Sequence, residues 1–231
     1  MFKLSHIKNE CQCLNYHILK MELKIRSKQK ISLKIINDFT ENPLIEYKLE
    51  DNGHVEFCES FLSPYFSKKL FKSLITLDFK QSQIYENVLT PRLQAWMGDI
   101  NINASIYTKL LPNPWSKDML ILKNKLEEIT QFKFDYVLIN YYRDGKDYIS
   151  YHSDREAIGD GKNVICGISL GATRKFVLKH LDKTIPKRSF ILENGSLIIM
   201  KGDDTQIYWK HTITKTTLTK NSRINLTFRH S

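Results

Sequence analysis

The sequence predicts an α+β fold that is mainly β, an antiparallel sandwich or barrel with helices packed outside it. Short runs of strand-forming residues, separated by turn residues, fill the C-terminal part of the chain. Few helical patterns come between them. Because parallel strands need long crossover connections, this order favours antiparallel pairing.

Two helices are predicted ahead of these strands. The first begins at the Ser63-Pro64 pair, since proline suits the first helical turn, and its apolar residues near helical spacing are Phe66, Leu70, Leu74 and Leu77. The second follows Pro114, and its apolar face consists of Met119, Leu122 and Leu126. The predicted strands are 134–142, 148–154, 164–171, 174–180, 189–200, 206–213 and 223–229.

The chain of 231 residues is long enough for one sizeable domain with an extension. Residues 1–50 are basic and alternate weakly, which predicts an N-terminal arm or an edge strand, and residues 51–231 are predicted to form the globular domain. The four cysteines are too scattered for a disulfide scaffold, and the N-terminus does not resemble a secretory signal. We therefore expect an intracellular protein, nuclear or cytoplasmic and not secreted.

Charge and hydropathy restrict the partners. The formal net charge of +10 favours a polyanion, nucleic acid above all, because neutralising phosphates releases counterions. The sequence contains no apolar run of the length, about 18 residues, that a membrane span needs. We expect a monomer without a membrane partner.

The segment YISYHSDREAIG, residues 148–159, places His152 and Asp154 two residues apart. In a strand such residues point to the same face, so their side chains converge as two ligands of a divalent metal would. His211, in YWKHTI, is the best distant candidate for a third ligand. Two imidazoles and one carboxylate are typical of non-haem Fe(II) oxygenases, although hydrolytic zinc sites use the same residue types.

The last predicted strand, RINLTFR, alternates in polarity, and its polar face carries Arg223, Asn225, Thr227 and Arg229. Arginine is rarely buried without a partner, and its planar fork binds carboxylates bidentately. Roughly 20 Å of strand separates the two arginines, so they would bracket the ends of a small dicarboxylate. A zinc hydrolase has no use for such a row, whereas a solvent-facing edge strand would also show it.

Asn140 and Tyr142 share one face of an earlier predicted strand. An amide and a phenol are suitable neutral donors to the same carboxylate. Alternatively, they only satisfy the end of their strand.

The ordered set NYYRDG, HSD, SLGATRKF, GSLIIM, WKHTI and RINLTFR resembles the AlkB family of Fe(II)- and 2-oxoglutarate-dependent dioxygenases. It looks most similar to the members that repair alkylated bases in duplex DNA. The resemblance implies a double-stranded β-helix, or jelly roll, with outer helices and a nucleotide-recognition lid at residues 78–110.

The resemblance also implies the roles of the site residues. Fe(II) would be held by His152, Asp154 and His211. The distal carboxylate of 2-oxoglutarate would pair with Arg223, assisted by Asn140 and Tyr142. The same pocket, nearer the metal, would be lined by Thr227 and Arg229, with Asn225 in support.

The implied reaction uses Fe(II), 2-oxoglutarate and O2. It hydroxylates an N-methyl group of 1-methyladenine or 3-methylcytosine in alkylated, double-stranded DNA and releases formaldehyde, succinate and CO2. Two alternatives stay open: the same chemistry on RNA, and a nucleic-acid-binding protein with an inactive metal site.

The substrate-side residues implied by the resemblance are Tyr107, Glu156, Arg155, Ile84, Gln83, Arg92 and Trp96. Tyr107 would stack on an extruded base, and Glu156 would favour the positive charge of a methylated base. A finger that fills the gap in the duplex would consist of Gln83 and Ile84. Arg155 stands where relatives carry a second acid, which bears on base preference. A buried strand tyrosine at 107 and a lid-core tryptophan at 96 are the ordinary structural alternatives.

Overall fold

The computed structural model describes residues 38–85, 88–99, 111–154, 159 and 163–230. Two compact units divide the chain, Met1–Phe39 and Thr40–Ser231. The elements below belong to the second unit. No helix among the described residues is long and apolar enough to cross a membrane.

The described residues contain three helices, α1 (Pro64–Leu74), α2 (Lys117–Thr130) and α3 (Asp203–Tyr208). Ser63 begins α1, since its hydroxyl accepts a hydrogen bond from the backbone N–H of the third helical residue, and Ser116 begins α2 in the same way. Both helices are confirmed with the predicted buried faces. Leu77, however, lies beyond the end of α1.

The strands among the described residues are β1 Ile45–Lys48, β2 His54–Cys58, β3 Gln83–Tyr85, β4 Val88–Leu89, β5 Leu93–Gly98, β6 Tyr136–Tyr142, β7 Ile149–His152, β8 Val164–Gly171, β9 Arg174–His180, β10 Arg188–Leu192, β11 Leu197–Lys201, β12 Trp209–Ile213 and β13 Arg223–Arg229. The strand predicted at 206–213 was wrong at its start, because residues 206–208 complete α3. The run 189–200 is split into β10 and β11 by a turn at Gly195, whose φ of 87° suits glycine.

The strands form two large antiparallel sheets and one hairpin sheet. The seven-stranded sheet has the order β1-β2-β11-β8-β13-β6-β5, and the four-stranded sheet has the order β10-β9-β12-β7. The hairpin β3–β4 forms the third sheet. This mainly antiparallel architecture with few helices is the predicted jelly roll. Its first strand, β1, lies within the segment 1–50 that the sequence sets apart.

The hydrophobic core lies between the two large sheets. It combines residues of the seven-stranded sheet, such as Phe57 and Ile198, with residues of the four-stranded sheet, such as Phe190 and Trp209. The indole N–H of Trp209, which is fully buried, donates to the carbonyl oxygen of Glu50 at 3.0 Å. This packing anchors β12, the strand that carries His211.

Candidate metal and cofactor site

Three potential ligands meet where β7 and β12 pair. His152 ends β7 and lies directly opposite His211 in the antiparallel register, and Asp154 follows two residues after β7. One ligand atom from each residue lies within 4.8 Å of the others. The Nε2 atoms of His152 and His211 are 3.7 and 3.8 Å from the Asp154 carboxylate oxygens. The sequence therefore brings together two imidazoles and one carboxylate, the donor set of a facial triad.

Neighbouring groups hold these three side chains in a ligating orientation. The Nδ1 atom of His152 donates to the carbonyl oxygen of Ser150 at 2.9 Å, which leaves Nε2 free of a proton and directed at the cluster. The Asp154 backbone N–H donates to Gln206 on α3 at 2.9 Å. The ring of His211 stacks on Phe176 with centroids 5.3 Å apart.

Burial and charge put the ligands in the protonation states that a metal requires. Burial lowers the pKa of His211 to about 3, and the neighbouring His152 adds to the effect. Burial alone would raise the pKa of Asp154, but Arg229, 2.7 Å away, and the two histidines outweigh it, so this pKa is lowered. At neutral pH His211 is neutral and Asp154 is ionised, and neither must release a proton to bind a divalent ion.

The polar face of β13 runs from the metal cluster to a buried cation. Arg229 pairs with Asp154 at one end. Along the strand, the Asn225 amide donates to the Thr227 hydroxyl and accepts from Arg223, each at 2.8 Å. Arg223 also donates to the hydroxyl of Ser169 at 2.9 Å. The alternation seen in the sequence thus becomes a hydrogen-bonded row from Arg223 through Asn225 to Thr227, beyond which Arg229 pairs with Asp154.

Arg223 is the most deeply buried cation of this row. It is 0% exposed, and its Nε and Nη1 atoms have no hydrogen-bond partner among the described residues. Burial lowers its pKa to about 10, which still leaves it charged at neutral pH. A buried cation with unused donors requires an anion, so the donor set fits a carboxylate.

Two residues of β6 lie beside this cation. Tyr142 is the register partner of Arg223, and its ring centroid lies 5.2 Å from the guanidinium carbon. Asn140, opposite Asn225, accepts from Arg92 Nε at 2.7 Å and from Gln94 Nε2 at 3.1 Å. Because both of these donors bind the amide oxygen and the NH2 group donates to no described residue, this NH2 group is suited to a ligand.

A cavity of about 370 Å³ joins these groups. Its wall includes the metal cluster, Tyr142, Asn225 and Arg229. Arg223 lies directly behind this wall, in contact with both Tyr142 and Asn225. One space therefore extends from the metal cluster to the Tyr142 and Asn225 side chains that cover the buried cation.

A sequence profile of the 2OG-Fe(II) oxygenase superfamily matches residues 58–229. The chain belongs to this superfamily. Its metal, cosubstrate and oxidant are accordingly Fe(II), 2-oxoglutarate and O2, in agreement with the histidine and aspartate cluster.

Curated relatives make this oxygenase an AlkB-family member. It is similar to alpha-ketoglutarate-dependent dioxygenase alkB homolog 3 of Bos taurus, with 40% identity over 148 residues, 60% of this chain and 51% of the relative. It is also similar to DNA oxidative demethylase ALKBH2 of Mus musculus, with 32% identity over 147 residues, 60% of this chain and 61% of the relative. The matched part thus spans about half to three fifths of these relatives.

The solved structure of OsALKBH1 superposes on this oxygenase with a TM-score of 0.61. The superposition covers 81% of this chain and 100% of that chain, with 15% sequence identity. At this identity the likeness shows a shared fold.

The predicted substrate-side residues of the oxygenase lie in different places. Arg92 is 8% exposed, lines the cavity and binds Asn140 on the cofactor side. Gln83 lines the cavity from β3. Trp96 is 2% exposed in β5, within the seven-stranded sheet. Ile84 belongs to β3, and its side chain is not described. Three further predicted residues lie outside the described residues: Tyr107, Arg155 and Glu156.

Sequence reasoning missed several residues that support this site. Ser169 is a polar residue in the apolar strand β8, and Gln94 follows Arg92 at strand spacing, so both left a faint signal. Gln206 and Arg174 left none, because their contacts depend on the helix α3 and on distant backbone carbonyls.

Proposed function

We propose that this AlkB-family oxygenase removes N-methyl groups from 1-methyladenine and 3-methylcytosine in DNA. The observation that carries the proposal is the single cavity that contains the metal cluster, the polar face of β13 and residues from β3 and β5. A relative named as a DNA oxidative demethylase supports the substrate class. We assign the activity to residues 51–231, with residues 1–50 as a basic extension.

In this proposal His152, Asp154 and His211 hold Fe(II). Their ligand atoms lie close enough together, and the lowered pKa values of Asp154 and His211 keep both in the ligating state. Arg229 neutralises the Asp154 carboxylate and fixes one of its oxygens. The remaining coordination positions are left to the cosubstrate and O2.

Arg223 is the proposed partner of the distal carboxylate of 2-oxoglutarate, and Asn140 and Tyr142 are proposed to assist it. Its unused Nε and Nη1 donors and its burial support this role. Thr227 and Arg229 line the pocket nearer the metal, and Asn225 links Thr227 to Arg223 by hydrogen bonds.

Bound Fe(II) and 2-oxoglutarate supply an oxidative decarboxylation of the keto acid by O2, which yields succinate and CO2 and hydroxylates the N-methyl group. The hydroxymethyl group then leaves as formaldehyde with release of a proton, and N1 of adenine or N3 of cytosine regains the lone pair with which it accepts a hydrogen bond. The protein holds the keto acid between the metal and Arg223. Apolar wall residues such as Ile165 and Phe176 exclude water from it.

The proposed partner is double-stranded, alkylated DNA. A monomeric state of the protein remains a prediction. The formal net charge of +10 favours a phosphate backbone. Extrusion of a methylated base costs less than extrusion of a normal one, because its pairing is already lost. Two buried free thiols, Cys58 and Cys166, suit the proposed intracellular location, nuclear or cytoplasmic.

Parallel turnover assays test the proposal. Oligonucleotides with 1-methyladenine or 3-methylcytosine are supplied as duplex DNA, single-stranded DNA and RNA, and formaldehyde, succinate and repaired base are quantified. We expect equal amounts of the three products, with duplex DNA turned over fastest. Faster turnover of RNA would establish the rival substrate instead.

The matched pair Asp154→Ala and Asp118→Ala controls these assays. Asp154 belongs to the metal cluster, whereas Asp118 pairs with Lys69 on the outer helices. We expect Asp154→Ala to lower turnover by more than about 100-fold and Asp118→Ala to leave it unchanged. Unchanged function in Asp154→Ala would leave only a nucleic-acid-binding role.

A further inference from the structure

Arg174, the first residue of β9, is a buried arginine that binds backbone carbonyls. It is 2% exposed. Its Nη1 atom donates to the carbonyl oxygen of Asp144 at 3.2 Å, and its Nη2 atom donates to those of Asp147 and Thr214 at 2.7 and 2.6 Å. It forms no ion pair with a carboxylate among the described residues. One planar guanidinium that binds three carbonyls fixes their relative positions, and the ammonium group of lysine cannot reproduce this geometry.

These carbonyls belong to the segments that carry the site. Asp144 and Asp147 lie in the turn between β6 and β7, after Tyr142 and before His152. Thr214 directly follows β12, the strand of His211. Arg174 therefore joins the ends of three strands at one point.

Tyr142 connects Arg174 with the cofactor end of the cavity. The guanidinium carbon of Arg174 lies 5.5 Å from the centroid of the Tyr142 ring, and that of Arg223 lies 5.2 Å from it. A cation at this distance from an aromatic face is attracted to it, more strongly where water is excluded. Two buried cations thus orient one ring, and Tyr142 is on the cavity wall.

The two cations also repel each other. After burial, the positive charge of Arg174 is a further cause of the lowered pKa of Arg223. Neither arginine forms an ion pair with a carboxylate within the described part of the chain. An anion bound beside Tyr142 would relieve this repulsion, so both charges favour it.

We propose that Arg174 is a positioning residue for the distal carboxylate of 2-oxoglutarate. It acts through Tyr142, whose ring its guanidinium charge orients, without contacting the ligand. The inference rests on the proposed function, in which Arg223 and Tyr142 receive that carboxylate. Arg174, which lies outside the cavity wall, thus affects the binding of one end of the cosubstrate only.

The test compares two ligands that share the chelating keto acid. Dissociation constants of 2-oxoglutarate and of 2-oxopentanoate, which lacks the distal carboxylate, are measured anaerobically with the Fe(II) protein by its visible absorption. We expect Arg174→Met to weaken 2-oxoglutarate binding about tenfold and 2-oxopentanoate binding by less than about twofold. Arg174→Lys keeps the charge but loses the fork, and we expect about a threefold loss for 2-oxoglutarate.

Arg143→Met is the matched control. Arg143 lies on the same turn but pairs with Asp147, and its side chain is 48% exposed. We expect it to leave both dissociation constants unchanged. Thermal unfolding of each metal-free variant reports folding, and if Arg174→Met does not fold, Arg174→Lys carries the test.

A double-mutant cycle with Tyr142→Leu tests the route of the effect. In that background we expect Arg174→Met to weaken 2-oxoglutarate binding by less than about twofold, because the ring that transmits the effect is gone. If 2-oxopentanoate binds too weakly to measure, this cycle decides.

Three results would each overturn the inference. Arg174→Met could weaken the binding of both ligands equally, it could leave 2-oxoglutarate binding unchanged, or it could weaken that binding just as much in the Tyr142→Leu background. A wild-type protein that binds Fe(II) without binding 2-oxoglutarate would instead overturn the proposed function. The two failures are therefore distinguishable.

Discussion

Replacing Arg223 with methionine perturbs the cofactor end of the cavity and leaves the metal cluster intact. The arginine is fully buried, and its Nη2 atom is hydrogen-bonded to the side chains of Ser169 and Asn225. Methionine has a similar length and is flexible, so it fills the space with little strain. We expect Arg223→Met to fold and to lose affinity for 2-oxoglutarate.

The size of the effect follows from the loss of one partner of a buried charge pair, which costs about 2–5 kcal/mol. At about 1.4 kcal/mol per tenfold, the dissociation constant of 2-oxoglutarate rises about 30- to 4,000-fold. A ligand at about 100 times its Kd stabilises the folded protein by about 2.7 kcal/mol, or about 5–11 °C in Tm for a chain of this length. At the same concentration Arg223→Met gains at most about 0.9 kcal/mol, or about 2–3 °C.

Anaerobic thermal unfolding of the Fe(II) protein, followed by circular dichroism with and without 2-oxoglutarate, measures this difference. Arg143→Met, which removes an exposed arginine paired with Asp147, should keep the full rise in Tm. If Arg223→Met shows the same rise as the wild type, Arg223 does not bind the distal carboxylate and the reasoning is refuted.

Three further predictions concern the metal-free protein and are read from urea unfolding. The pKa of His211 lies at about 3 in the folded chain, against an ordinary value of 6.5. Between these two pH values only the unfolded chain protonates this histidine, so the stability of the folded chain falls as the pH is lowered from 6.5. His211→Leu should lose less stability between about pH 7 and about pH 5 than the wild type, and an equal loss would contradict this. Burial would raise the pKa of Glu127, but hydrogen bonds from Lys123, Lys133 and the Phe134 N–H lower it overall. The contribution of Glu127 to stability is therefore present above pH 4.5 and is lost as the pH falls through the pKa of the folded chain. Glu127→Gln should therefore cost about 1–3 kcal/mol near neutral pH and less in acid, and a cost independent of pH would contradict that cause. Gly145→Ala would drive a methyl carbon into the carbonyl oxygen of Thr216, so we expect a loss of stability of about 1–3 kcal/mol, and an unchanged midpoint would show that the turn can shift.

The metal cluster could be predicted because its signal is local. The strand spacing of His152 and Asp154 points both to one face, and the register of β7 with β12 places His211 opposite His152. The polar face of β13 could be predicted equally well, because alternation of polar and apolar residues is a property of the strand itself.

The supporting contacts could not be predicted, because each depends on pairing between distant segments. Arg92 meets Asn140 only because β5 pairs with β6, and the carbonyls that Arg174 binds belong to two separate turns. The predicted start of β12 was wrong because residues 206–208 have an apolar and aromatic content that suits a strand. In the structure they continue a helix whose first turn carries two acids after Gly202.

Anaerobic titration of the protein with Fe(II) and 2-oxoglutarate tests the central claim most directly. If the two histidines and Asp154 hold the iron beside the buried arginine, a visible charge-transfer band appears at one Fe(II) and one 2-oxoglutarate per chain. The band should be lost in His211→Ala and kept in Arg143→Met. A well-folded sample that develops no band, or a band that survives the loss of His211, would contradict the account.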